Sequence, residues 1–145
     1  MNHQHIIFVC TGCGSSHKTK QYVAKSGGER LLEQLKTLHD DWALQDEVAI
    51  EPVECMGVCE QSCAIAFVSS GKQTYLFGTL PADAACVEAT ATAVLECARQ
   101  YYAKPDGLLP YSKRPELLRA GAIARIPPIP TAESLSIAQA NRPFL

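Results

Sequence analysis

Short apolar runs alternate with helical periodicities along the first hundred residues. His5 to Cys10 (HIIFVC) is a short apolar run with β-branched and aromatic residues, which predicts a buried strand. Apolar residues then recur at helical spacing and predict a helix over Gly28–Trp42 with one face packed inward. Glu47 to Glu54 (EVAIEPVE) alternates in part and predicts a second strand. Since Pro52 cannot donate a hydrogen bond to a ladder, we expect it at a sheet edge or at a strand end.

The next segment carries the pattern of a hairpin followed by a helix. Cys63 to Ser69 (CAIAFVS) predicts a third strand, and residues 70–72 form a turn. Gln73 to Gly78 (QTYLFG) returns as a fourth strand, so the two should pair as a hairpin. Pro81 is suited to open a second helix, which should end near Lys104 and Pro105.

The predicted order β-α-β-β-β-α defines an α/β fold class. The first two strands are joined through a helix, so they should be parallel with a right-handed crossover. The last two should be antiparallel because their turn is short. A four-stranded mixed sheet with helices packed on it is the thioredoxin-like arrangement.

The C-terminal region differs from the rest of the chain. Seven of the nine prolines lie from Pro105 onward, which disfavours long helices and central strands. The same region is too rich in leucine and isoleucine for a plain disordered linker. We therefore expect a thioredoxin-like domain over residues 1–104. Residues 105–145 should form an extended arm packed on that domain or on a second subunit, with a short helix near residues 132–140.

Composition and charge narrow the functional classes. The net charge of −2 shows no basic excess, which argues against nucleic-acid binding. No run approaches the roughly 18 apolar residues of a membrane span, and the polar start lacks the features of a signal peptide. A cytoplasmic location is the expectation. Thiols there stay reduced, so seven cysteines indicate metal or redox chemistry rather than disulfides.

Five cysteines fall where loops meet strands, in two groups. Cys10 and Cys13 close the first strand, and Cys55, Cys59 and Cys63 lie between the second and third strands. In a parallel β-α-β unit both loops leave the same end of the sheet, so four thiolates can converge. A [2Fe–2S] cluster needs two thiolates for each of two irons, which two such groups supply.

Residues around the cysteines suit a negatively charged cluster. Gly12, Gly14 and Gly57 would let backbone N–H groups approach the sulfurs, and such hydrogen bonds tune the potential. Lys18 and Lys20 follow the first pair as possible counter-charges. His17 is a candidate ligand too, because histidine replaces cysteine in some clusters, although a solvated loop histidine is the simpler interpretation.

A family resemblance covers nearly the whole chain. Residues 53–84 (VECMGVCEQSCAIAFVSSGKQTYLFGTLPADA, around the second cysteine group) resemble thioredoxin-like [2Fe–2S] ferredoxins and the small cluster-carrying subunit of bacterial NADH dehydrogenases. A closer resemblance is to a bacterial family of uncharacterised small metal-binding proteins. Its marks are the two cysteine groups, a K-x-T-Y-x-F-G hairpin at Lys72–Gly78, Arg114-Pro115, and A-R-x-P-P at 124–128. Members often lie beside cobalamin-synthesis genes, which implies a link to cobalamin or tetrapyrrole metabolism.

The resemblance implies Cys10, Cys55 and Cys59 as ligands, with Cys13 preferred as the fourth and Cys63 as its competitor. Related ferredoxins space the first two ligands more widely, and they lack a counterpart of Cys63. Structural zinc is an alternative, since four thiolates satisfy it equally well. A thioredoxin-type dithiol at Cys10 and Cys13 is the other. Thioredoxin-type enzymes usually have a cis-proline just before strand three, and this chain has Gln61-Ser62-Cys63 there instead. The dithiol interpretation also leaves the second cysteine group without a role.

The remaining candidates have simpler structural interpretations. Cys86 and Cys97 should lie near one face of the second helix as small buried hydrophobes. Tyr75 and Phe77 should be core residues of the hairpin. Arginines of the tail should anchor it rather than bind an anion; they are Arg114, Arg119 and Arg125.

No paired carboxylates, serine triad or phosphate loop stands out, so an electron carrier without substrate turnover is the expectation. A carrier of this kind needs a redox partner protein, either a reductase or an acceptor enzyme. The related ferredoxins form pairs, which implies a homodimer.

Overall fold

The computed structural model describes residues 5–12, 27–57 and 63–128. These residues form a mixed α/β structure with a single five-stranded sheet. The strands are β1 (His5–Cys10), β2 (Val48–Val53), β3 (Ile65–Ser69), β4 (Thr74–Phe77) and β5 (Ala122–Ile126), and the helices are α1 (Gly27–His39), α2 (Val87–Ala103) and the short α3 (Glu116–Arg119). No helix among the described residues is both long enough and apolar enough to cross a membrane.

The sheet has the strand order β2-β1-β3-β4-β5. β1 and β2 are parallel, with Cys10 opposite Val53, and the other neighbouring pairs are antiparallel. The predicted parallel pair and the predicted hairpin are both confirmed. Pro52 lies on the edge strand β2, where its missing N–H costs no ladder bond inside the sheet.

The prediction of four strands is wrong, because the proline-rich arm supplies a fifth. β5 pairs antiparallel with β4, with a register irregularity at Leu76 and Phe77. The N–H of Gly78 donates to the carbonyl oxygen of Gly121 at 2.8 Å and joins the two strands just beyond this point. Pro127 follows Ile126 directly, and a proline there ends the strand without removing a bond between paired strands.

Both long helices differ from their predicted bounds at one end. α1 ends at His39, three residues before the predicted Trp42, and Asp40 starts a turn. α2 begins at Val87 rather than at Pro81. The carboxylate of Asp83 accepts the N–H groups of Ala85 at 3.1 Å and Cys86 at 2.9 Å, which holds these residues in a turn before the helix.

α1 and α2 contact each other and share one core with the sheet. β4 contributes alternate residues to this core, whereas β3 buries Ile65, Ala66 and Phe67 in succession. The largest fully buried side chains include Tyr75, Phe67, Phe77, Ile7, Leu31, Leu35 and Ile65. Tyr75 and Phe77 are therefore core residues, as predicted.

Arg114 anchors the C-terminal arm to the hairpin. Its guanidinium lies over the rings of Tyr75, Phe77 and Tyr111, and its Nε donates to the carbonyl oxygen of Leu109 at 3.0 Å. Arginine stacked on aromatic faces in this way adds to the burial of the arm. The predicted anchoring role of Arg114 is thus confirmed.

Candidate functional site

The ends of β1 and β2 are held together by backbone hydrogen bonds that continue past the strands. The N–H of Thr11 donates to the carbonyl oxygen of Val53 at 2.8 Å, and that of Gly12 donates to Glu54 at 3.0 Å. A Cβ atom at Gly12 would lie 2.5 Å from the oxygen of Glu54, so only glycine permits this approach. We call the region around Cys10, Gly12, Cys55 and Cys63 the cysteine end of the sheet.

Cys10 is the last residue of β1 and is only 1% exposed. Its N–H donates to the carbonyl oxygen of Ala64 at 3.0 Å, which links it to the segment entering β3. Its Sγ lies 3.7 Å from the carbonyl oxygen of Glu54, the residue that precedes Cys55. The thiol of Cys10 is thus directed towards the loop that carries the second cysteine group.

Cys55 follows β2 and is exposed. Its Sγ accepts the N–H of Gly57 at 3.2 Å. Gly57 has a φ of +80°, a conformation that side chains strongly disfavour. The predicted backbone donor to a cysteine sulfur is present at this position, and the glycine that makes it possible is Gly57.

Cys63 lies on the core side of the cysteine end and is buried. A Cβ atom at Gly27 would be 2.6 Å from its Sγ, so the start of α1 packs directly on this sulfur. Burial raises the pKa of the Cys63 thiol, the nearby Cys10 thiol adds to the rise, and Arg30 opposes it. Cys63 is therefore a core thiol next to Cys10.

Several predicted site residues lie outside the described residues. They are Cys13, Cys59, Gly14, His17, Lys18 and Lys20. Within residues 5–12, 27–57 and 63–128, no group of three or more His, Cys, Asp and Glu side chains is arranged to hold a metal ion. The described part of the site thus contains two of the four preferred ligands, Cys10 and Cys55, together with their backbone surroundings.

Cys86 and Cys97, the two cysteines before and within α2, differ in their surroundings. Cys97 is fully buried in α2, and burial raises its pKa to about 12, so it is the small buried hydrophobe that was predicted. Cys86 is half-buried and precedes α2, so the prediction of a buried residue on the second helix is wrong for Cys86. A hydrogen bond with Asp83 raises the pKa of its thiol. Neither environment favours a thiolate.

Arg30, in the first turn of α1, is a residue that the sequence pattern did not indicate. Its Nη1 donates to the carbonyl oxygen of Ala82 at 2.9 Å, which fixes the guanidinium near Cys63. The two glycines before it offer a signal in retrospect, because Gly27 and Gly28 mark a helix start packed tightly on other groups. A Cβ atom at Gly28 would lie 1.9 Å from the carbonyl oxygen of Cys10.

Comparisons with known proteins bear on the fold and the family. The profile of a family described as "Protein of unknown function (DUF1636)" matches residues 7–128. The structure is similar to that of a thioredoxin-like [2Fe-2S] ferredoxin from Aquifex aeolicus, with a TM-score of 0.52 and 14% identity, over 86% of this chain and 94% of that chain. No curated protein sequence matches. The thioredoxin-like fold is confirmed, with five strands instead of four.

Proposed function

The chain belongs to the DUF1636 family, and we propose that it is an electron carrier that binds a [2Fe–2S] cluster through Cys10, Cys13, Cys55 and Cys59. Such a cluster would supply a centre that accepts and releases single electrons. The observation that carries the proposal is the pair of backbone hydrogen bonds from Thr11 to Val53 and from Gly12 to Glu54, which joins the segment after Cys10 to the segment before Cys55.

The described residues fit a cluster with negatively charged sulfurs. The Gly57 N–H already donates to Cys55 Sγ, and N–H donors of this kind stabilise thiolate ligands. Gly12 has no side chain where the backbone passes the carbonyl oxygen of Glu54, and Gly57 permits the positive φ of the turn after Cys55. The similar fold of a protein that carries a [2Fe-2S] cluster adds support.

Cys13 is preferred over Cys63 because of the way Cys63 packs. Its Sγ lies against Gly27 in the core, and a shift of this sulfur towards the loops would open space beside the helix start. Cavities in a core cost stability. We propose that Cys63 stays a packing residue and that Cys13 completes the ligand set.

The two described ligands differ in exposure. Cys10 is buried, whereas Cys55 is exposed. We propose that a redox partner protein approaches from the Cys55 side, because this ligand is the exposed one of the two. The homodimer and the link to cobalamin or tetrapyrrole metabolism stay predictions that rest on the family resemblance.

The test is spectroscopy of protein purified without oxygen. We expect visible absorption, a reduced-state EPR signal, and two iron and two acid-labile sulfide per chain. Cys10→Ser and Cys55→Ser should each lose most of the absorption. Cys86→Ser is the matched control and should keep the wild-type spectrum, because this thiol lies before α2, outside both groups.

Two further variants separate the candidates for the fourth ligand. Cys13→Ser should lose the wild-type spectrum, whereas Cys63→Ser should keep it. The reverse result would identify Cys63 instead of Cys13 as the fourth ligand. A colourless wild-type protein with one zinc per chain would refute the cluster. Disulfide reductase activity in metal-free protein that is lost in Cys10→Ser would favour the dithiol.

A further inference from the structure

The first turn of α1 packs directly on two cysteines of the cysteine end. A Cβ atom at Gly27 would meet Cys63 Sγ at 2.6 Å, and one at Gly28 would meet the carbonyl oxygen of Cys10 at 1.9 Å. α1 has 13 residues, so its N-terminal N–H groups present a partial positive charge towards this region. Any charge carried by the next residues of the turn is therefore close to the cysteines.

Arg30 carries such a charge and is held in place. Its Nη1 donates to the Ala82 carbonyl oxygen at 2.9 Å, a contact between residues 52 positions apart in sequence. Ala82 itself packs at the start of α1, with its Cβ 3.4 Å from the position of a Gly27 Cβ. The half-buried guanidinium is thus fixed at the start of α1, where Gly27 packs on Cys63 Sγ.

The surroundings give this cation particular weight. At the cysteine end, Glu29 lies in the first turn of α1, directly before Arg30. Glu51 and Glu54 flank the end of β2 next to Cys55 and are exposed. Negative charge near a cluster disfavours an added electron, and a fixed cation in a partly desolvated place opposes that effect.

We propose that Arg30 sets the reduction potential of the cluster by stabilising its reduced state, which carries one more negative charge than the oxidised state. This inference rests on the proposed function. In one-electron reduction by a redox partner protein no bond forms or breaks, and the effect of Arg30 is electrostatic. Its side chain need not contact a ligand sulfur, because an attraction of this kind extends over several ångströms.

The experiment measures the midpoint potential of the reconstituted full chain by EPR-monitored titration. Arg30→Gln should shift the potential to a more negative value, and Arg30→Lys, which keeps the charge, should stay close to wild type. The matched control is Lys36→Gln, which removes the same charge from an exposed position roughly two turns along α1. Its potential should equal that of the wild type.

The outcomes separate this inference from the proposed function. A wild-type protein without iron would overturn both. An intact cluster with equal potentials in wild type and Arg30→Gln would overturn only the role of Arg30. If the midpoint potential shifted as far in Arg30→Lys as in Arg30→Gln, the effect would come from the hydrogen bond with Ala82. The electrostatic role of Arg30 would then be overturned. A lower unfolding midpoint without a change in potential would mean a purely structural role.

Discussion

The two ends of the sheet are built in different ways. At the cysteine end, neighbouring segments are joined by backbone hydrogen bonds, and glycines stand at the closest approaches. The opposite end, where β1 begins and β3 turns into β4, is joined by side chains. We call it the tyrosine end and define it by His5, Lys72, Tyr75, Tyr101 and Tyr102.

Side chains at the tyrosine end satisfy backbone groups of distant segments. Lys72 Nζ donates to the carbonyl oxygens of Tyr101 and Tyr102, both at 2.9 Å, and thereby caps the end of α2. The hydroxyl of Tyr101 donates to the carbonyl oxygen of Gln73, and the hydroxyl of Tyr75 accepts the N–H of Leu109 at 2.8 Å. The K-x-T-Y-x-F-G segment therefore joins α2 and the arm to the sheet.

The comparison indicates that residues important for stability and residues important for the cluster lie at different ends of the sheet. Side chains at the tyrosine end are committed to packing and hydrogen bonds within the fold. At the cysteine end backbone hydrogen bonds join the neighbouring segments, and Cys55 is exposed. We expect changes at the tyrosine end to affect stability, and changes at the cysteine end to affect the cluster.

The largest effect should come from Tyr101→Ala. Tyr101 is 2% exposed, and its ring meets those of Phe67 and Tyr75. Truncation of a buried aromatic residue costs about 3–5 kcal/mol. The free energy of unfolding measured with urea should therefore fall by that amount. The absorption spectrum of the folded fraction should stay that of the wild type. Tyr111→Ala, at a residue 63% exposed, is the control and should cost at most about 1 kcal/mol, from its contact with Arg114. A lost cluster in folded Tyr101→Ala would contradict the separation.

Lys72→Met should have the next largest effect. The substitution keeps most of the aliphatic chain but leaves two carbonyl oxygens at the end of α2 without their donor. Loss of hydrogen bonds from a charged group costs about 1.5–3 kcal/mol. Lys36→Met, at an exposed position of α1, is the comparison in the same denaturation experiment. It should leave the free energy of unfolding almost unchanged. Equal stability of the two variants would mean that Lys72 does not hold α2 to the hairpin.

A pair of glycines allows a matched comparison of the two ends. Gly57 and Gly71 both have a φ of +80°, and neither has an atom within 4 Å of an added Cβ. Gly57→Ala and Gly71→Ala should each cost about 1–2 kcal/mol from the left-handed backbone alone. Only Gly57→Ala should change the absorption spectrum or lower the iron content, because backbone strain at this residue displaces the N–H that donates to Cys55. Equal spectra in both variants would show that the hydrogen bond from Gly57 to Cys55 does not contribute to cluster binding.

The sequence predicts the local features better than the distant contacts. The parallel pairing of β1 and β2 follows from the short strands and the helix between them, and it places Cys10 and Cys55 at one end of the sheet. β5 was missed because Ala122–Ile126 lies among prolines and becomes a strand only by pairing with β4. The role of Arg30 was missed for a similar reason, since its partner Ala82 lies across the fold. Contacts of this kind depend on tertiary structure, which periodicity does not encode.

The smallest effect concerns the protonation of His5. Its ring lies 4.8 Å from that of Tyr102, and its Nε2 is buried and has no hydrogen-bond partner among the described residues. Burial lowers the pKa of His5, the positive charge of Lys72 lowers it further, and Glu47 opposes the shift. The folded protein thus favours the neutral ring.

The sign of the pH effect follows from this shift. The unfolded chain takes up the proton near pH 6.5, whereas the folded protein does so only at lower pH. The stability from neutral His5 should therefore be complete above about pH 7 and should be lost as the pH falls through 6.5 towards the lower folded value. His5→Phe keeps an aromatic ring and removes the titration. Urea unfolding at pH 7.5 and 5.5 should show a smaller loss of stability in His5→Phe than in wild type. Equal losses would show that protonation of His5 does not oppose the packing of the tyrosine end.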